Sequence, residues 1–143
     1  ETKTATTATT RREEGFWIRL NTSAAQYEFT TTITGPVVDN DTTASMAPGD
    51  RPADDPANPA PTGSATYTVG FFHAHTPMTY RTGTREVGPS PADNSFHTGQ
   101  NVVGVVYDYI ESPAGSGTIP GGHPLNSSAQ RYHSGPTRRS TPP

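Results

Sequence analysis

Ala65-Thr66-Tyr67-Thr68-Val69-Gly70-Phe71-Phe72-His73-Ala74-His75 is the stretch that decides the fold. Its apolar, aromatic and β-branched residues around a central glycine read as an inner β-strand. Side chains on a strand alternate between faces, so His73 and His75 project the same way with Cα atoms roughly 6.5–7 Å apart. Two imidazoles at that separation can converge on one metal ion, because Zn–N bonds are about 2.0–2.1 Å. Downstream, Ser90-Pro91-Ala92-Asp93 has the chemistry of a helix start: serine at the N-cap, proline at N1 and an acid at N3. The helix is expected to be short, ending near Gly99. An aspartate on its first turn supplies a third ligand and leaves a fourth position open to water. That is the donor pattern of a catalytic zinc site rather than a closed structural one. Either motif alone has an ordinary reading, a strand-end histidine pair or a plain helix cap. Their order along the chain is what raises them to a candidate site.

Outward from this centre, Asn101-Val102-Val103-Gly104-Val105-Val106-Tyr107-Asp108-Tyr109-Ile110 is the most apolar run and reads as a buried strand. Towards the N-terminus, the segments 16–21 and 27–34 are aromatic, β-branched and Thr-rich, with a short polar stretch between them. They predict a β-hairpin that ends at Gly35-Pro36. Residues 39–64 carry almost no large apolar side chain and predict a long exposed loop; residues 76–89 form a second one. A terminal strand pair is expected around Gln130–His133. The fold class is therefore α+β, a central curved, mixed sheet of about five or six strands with few helices. Residues 1–12 form a Thr-rich linker or weak helix, 13–133 the domain and 134–143 a Pro/Arg-rich tail.

The 143 residues suffice for one domain, but only 29% are hydrophobic and 15 are proline, so the core is expected to be small. A formal charge of −3 gives no electrostatic case for a nucleic-acid partner or a membrane surface. No run approaches the length of a membrane span. With no cysteine in the chain, any metal must rest on His, Asp and Glu. The chain starts at Glu1 with neither an initiator Met nor a signal-peptide pattern, and it reads as a fragment of a longer protein.

His73-Ala74-His75-Thr76-Pro77 followed by Pro89-Ser90-Pro91-Ala92-Asp93 resembles the metal-binding motif of the JAB/MPN (JAMM) metalloproteases, which runs Glu, then His-x-His, then Ser-x-x-Asp. Within that group the chain looks closest to bacterial JAB-like domains, including the DUF4329 type at the C-terminal ends of secreted polymorphic toxins. The resemblance covers roughly residues 13–110. Glu13-Glu14-Gly15-Phe16-Trp17-Ile18 matches the family's upstream glutamate segment, with Glu13 the better fit and Glu14 and Glu28 as further candidates. Phe16 stands where the family commonly has glycine. Seventeen residues separate His75 from Asp93. The family commonly has roughly ten, and a loop takes up such an insertion at little entropic cost.

The resemblance implies a zinc-dependent peptidase or isopeptidase. His73, His75 and Asp93 would hold Zn²⁺, Glu13 would act as general base and then acid, and Ser90 would donate a hydrogen bond to the oxyanion. It also implies a protein or peptide substrate, an immunity or carrier protein as partner, and a secreted or delivered effector domain cut from a bacterial protein. Inactive relatives make a non-catalytic binding or structural module on the same fold the alternative. Ser90 is either that oxyanion donor or only the helix N-cap, because the two roles compete for one hydroxyl orientation. His97 falls one turn from Asp93, either close behind the site or, as the ordinary expectation, at a solvated helix position. His123 and His133 read as surface residues. Trp17, Phe71, Phe72, Tyr107 and Tyr109 read as core, and Asp108 as either a strand-end surface residue or a buried partner.

Overall fold

A computed structural model describes residues 12–38, 44–56, 65–76, 88–109 and 129–135. The first twelve-residue linker up to residue 11, most of the 76–89 loop, His123, the tail beyond residue 135 and the side chains of Tyr109 and His133 lie outside the described residues. The rest forms a mixed, six-stranded sheet with one described helix, the expected α+β class. Strand β1 (Glu14–Asn21) pairs antiparallel with β2 (Gln26–Phe29), β3 (Ile33–Thr34) and β4 (Thr66–Ala74). Strand β4 pairs parallel with β5 (Val103–Tyr109), and β6 (Ala129–Ser134) closes the far edge antiparallel to β5. The helix α1 (Pro91–Gly99) is part of the connection between β4 and β5, as a parallel pair requires. The sheet order is β2-β1-β4-β5-β6, with β3 beside β2 along β1.

The expected hairpin forms, but its second strand is split. Ile18 stands opposite Phe29 while Gly15 stands opposite Ile33, so one extra residue bulges out between β2 and β3. Thr30 bridges the break: its hydroxyl accepts from Trp17 N–H at 3.0 Å, in place of a ladder carbonyl. Of the expected terminal strand pair, the described residues contain one strand, β6, laid on β5.

Alternation sorts the sheet into two faces. Gly15 and Trp17 on β1 share a face with Phe71 and His73 on β4, and with Val106 on β5, because paired residues point the same way. This is the core face: Trp17, Phe71 and Val102 are buried, with Ile33, Met46 and Phe96 packed on them. Each fully buried aromatic removes enough apolar surface to stabilise the fold by about 2–3 kcal/mol. Phe72 and Tyr107 lie half-buried on the opposite face, where Phe72 stacks on Phe16 at 4.8 Å. Gly15 is required by close approach, since a methyl there would come within 2.5 Å of Phe72 O and 2.7 Å of Met46 Cε.

Part of the expected exposed loop 39–64 is a strap across this core. Trp17 Nε1 donates to Pro48 O at 3.1 Å, Thr68 Oγ1 donates to Pro52 O at 2.8 Å, and Asp54 Oδ1 accepts from Thr68 N–H at 2.8 Å. Composition concealed this because most of these contacts use backbone carbonyls, which any residue provides. Among the described residues, no helix is long and apolar enough to cross a membrane.

Candidate metal centre

The site forms at the carboxyl ends of the parallel pair β4 and β5, where the N-terminus of α1 and the start of β1 also arrive. Open sheets bind ligands at this position because the connecting helix presents its N-terminus there. Ser90 is the N-cap, with its Oγ accepting from Asp93 N–H at 3.1 Å, and Pro91 occupies N1. Asp93 returns the bond, its Oδ2 accepting from Ser90 N–H at 2.7 Å. This reciprocal capping box holds the Asp93 carboxylate against the strand end, with Oδ1 towards His73 and Oδ2 shared between the cap and His75. The Ser90 hydroxyl accepts from Asp93 N–H at the cap, and its side chain also hydrogen-bonds the Asp93 carboxylate, which helps to keep that group acidic. Replacing Ser90 by alanine should cost about 1 kcal/mol of stability, read as a lower urea midpoint.

His73 Nε2 lies 3.2 Å from Asp93 Oδ1, His75 Nε2 lies 3.3 Å from Asp93 Oδ2, and the two Nε2 atoms are 3.2 Å apart. Both imidazoles are buried, and Asp93 is half-buried. Around a tetrahedral ion with bonds of about 2.0–2.1 Å, neighbouring donor atoms are about 3.3–3.4 Å apart. The two histidine nitrogens are near that spacing, each reaches a different Asp93 oxygen, and one donor atom from each residue lies within 4.8 Å of the others, so together the three can hold a metal ion. Burial works to raise the Asp93 pKa, but hydrogen bonds from His73 and His75 and the charge of His73 bring it well below the usual carboxylate range. His73 Nδ1 is buried with no hydrogen-bond partner among the described residues. Among those residues, its ring is oriented by packing, stacked against Phe71 with centroids 6.0 Å apart.

The three candidate bases separate by position. Glu14 faces away from the histidines by alternation, and its carboxylate pairs with Arg12 at 2.7 Å. Glu28 is on β2 opposite Arg19, bonded to Asn21 Nδ2 at 2.9 Å. Arg19 is four residues along β1 from Gly15, which pairs with His73, so Glu28 is at least about 13 Å away. Glu13 continues the ladder by one step, its carbonyl accepting from Gly35 N–H at 2.8 Å. Carried one residue beyond β1, the alternation would direct Glu13 towards the face of His73 and His75.

Two residues belong to the site in ways the sequence left open. His97 was expected in solvent and is fully buried, its ring 5.8 Å from that of His73. It lies on the sheet-facing side of α1, one turn after Asp93, which a nine-residue helix with few apolar residues did not reveal. Burial first, then the charge of His73, lowers its pKa to about 4, against a smaller upward pull from Asp93. A histidine depressed in the fold binds protons more readily when unfolded, so the metal-free protein should lose stability as the pH falls from about 6.5 towards 4. NMR titration of metal-free protein should find His97 neutral until the pH nears 4.

The second residue is Asp108, which is buried with no exposed surface. Its Oδ2 accepts from Gly88 N–H at 2.8 Å and lies 3.1 Å from His75 Nδ1. The parallel register, with Ala74 beside Tyr107, brings Asp108 alongside His75. No family model, curated protein or solved structure matches the chain.

Proposed function

We propose that the chain is a zinc-dependent hydrolase of the JAB/MPN (JAMM) type, cleaving a peptide or isopeptide bond in a protein substrate. In this reading it serves as a toxin domain delivered by a bacterial cell, with an immunity or carrier protein as its partner. One observation carries the reading: His73, His75 and Asp93 from two segments converge, with one donor atom of each within 4.8 Å of the others. A parallel strand–helix–strand unit with a Ser-x-x-Asp capping box supports it, being the local structure that the motif order calls for. Two imidazoles and one carboxylate, with no thiolate, suit zinc at an open catalytic position.

Zinc held by His73, His75 and Asp93 supplies Lewis acidity, making water a competent nucleophile near neutral pH. The protein's own groups do the remainder. Glu13, on the histidine face, takes the proton from the attacking water and returns it to the leaving nitrogen. The Ser90 hydroxyl, turned from its contact with Asp93, donates to the negative oxygen of the tetrahedral intermediate. A non-catalytic module, in which the metal only braces the fold, is the reading favoured by Glu13 standing outside the converging donor group.

The test is elemental analysis of protein made without an affinity tag, coupled to hydrolysis of isopeptide- and peptide-linked substrates. Equimolar zinc, with turnover lost to a chelator and restored by the metal, is the expected result. Zinc without turnover selects the non-catalytic module. Protein that takes up no zinc overturns both.

A further inference from the structure

Asp108 is a buried carboxylate aimed at the side of His75 that faces away from the converging donors. Its Oδ2 accepts from the backbone N–H of Gly88, a residue held at φ +100°, and lies 3.1 Å from His75 Nδ1. An oxygen accepting from a backbone amide acts as a carboxylate acceptor, so the proton it shares with His75 belongs on Nδ1. The backbone of His75 is fixed too, its N–H donating to Tyr107 O at 2.9 Å. We propose that Asp108 is a positioning residue: it holds the His75 ring with Nδ1 protonated and turns the Nε2 lone pair towards His73 and Asp93.

The consequence appears at the neighbouring contact. With its proton on Nδ1 for Asp108, a neutral His75 ring turns its Nε2 lone pair towards Asp93 Oδ2 3.3 Å away. The hydrogen bond from His75 that helps keep Asp93 acidic needs a second proton on the ring, and without it the two atoms face each other as acceptors. A shared cation relieves that opposition, so the pair prepares the site for a metal before one arrives. A carboxylate behind a ligand histidine also raises its basicity, and losing such a group typically costs about 10–100-fold in metal affinity. Gly88 gains a role as well. Its N–H pins the same oxygen, and its positive φ lets the chain turn into Pro89-Ser90 and the helix cap.

This inference rests on the metal-site reading, but one of its tests needs no metal. In ¹⁵N-labelled, metal-free protein, His75 should show a protonated Nδ1 and a bare Nε2, and Asp108→Ala should shift it towards a mixture of tautomers. In competition with a chromophoric chelator, Asp108→Ala should bind zinc 10–100-fold more weakly. Asp108→Asn keeps an oxygen for Gly88 and His75 but loses the charge, and should lose about tenfold. A purely structural role would lower thermal stability while leaving the tautomer and affinity of the folded variants unchanged. A wild-type His75 protonated on Nε2, or variants with undiminished affinity, would overturn the proposal. Should Asp108→Ala not fold, the wild-type tautomer and Asp108→Asn decide. If the wild type binds no zinc, the proposed function falls, while the His75 tautomer still decides the role of Asp108.

Discussion

Asp93→Asn should abolish zinc binding while leaving helix α1 capped. The two carboxylate oxygens have different tasks: Oδ2 accepts from Ser90 N–H at 2.7 Å, and Oδ1 faces His73 Nε2 at 3.2 Å. In the amide, the oxygen is needed at the cap, so the NH₂ group falls where Oδ1 stood and points hydrogens at the donor cluster. Zinc sites of four protein ligands bind with about 10–16 kcal/mol, so one ligand contributes about 3–4 kcal/mol, or two to three orders of magnitude in affinity. His73→Ala should lose a similar amount. Thermal denaturation gives a second readout. Zinc at a hundredfold excess over its Kd should add about 2.7 kcal/mol to the wild type, which for a chain of this size raises Tm by roughly 8–10 °C. Asp93→Asn should show no such rise. A variant that kept the full zinc-induced shift would mean that the metal binds elsewhere, and the proposed centre would be lost.

The parts of this site that were legible in the sequence are those fixed by local rules. Strand alternation put His73 and His75 on one face, and helix-cap chemistry put Ser90 at the N-cap and Asp93 at N3. What stayed hidden depends on register and on packing between distant segments. Asp108 joins the site only because β4 and β5 run parallel with Ala74 beside Tyr107, a pairing set by the connection between them rather than by either strand. The alternation Val102, Gly104, Val106, Asp108 does carry a faint signal. All four lie on the buried face, and an acid ending such a row needs a partner. His97 was misplaced for a related reason. The helix carries one large apolar residue, Phe96, so its inward face could not be found by counting. The strap at 44–56 has no apolar pattern at all, although Met46 packs on the core and Ala44 is buried.

Alternation also separates the candidate bases, which motif spacing alone could not do. Adjacent residues along extended chain turn to opposite faces, and the register that sets Glu14 beside Ala74 turns Glu14 away from the histidine face. Glu13→Gln should therefore eliminate hydrolysis while zinc stays bound at full stoichiometry. Glutamine is nearly isosteric and keeps an oxygen that can orient water, but it can neither take the water's proton nor return one to the leaving nitrogen. General acid–base catalysis typically contributes 10²–10⁴-fold, and here a single group performs both transfers, so a loss of at least about 10³ is expected. Glu14→Gln and Glu28→Gln are the controls and should retain turnover. Metal stoichiometry and Tm should match the wild type in all three, which separates lost chemistry from lost structure. If the domain is a toxin, Glu13→Gln should be tolerated by a cell that the wild type kills. Full activity in Glu13→Gln would remove that residue from the mechanism. The base would then have to come from outside the residues that alternation directs at the histidine pair.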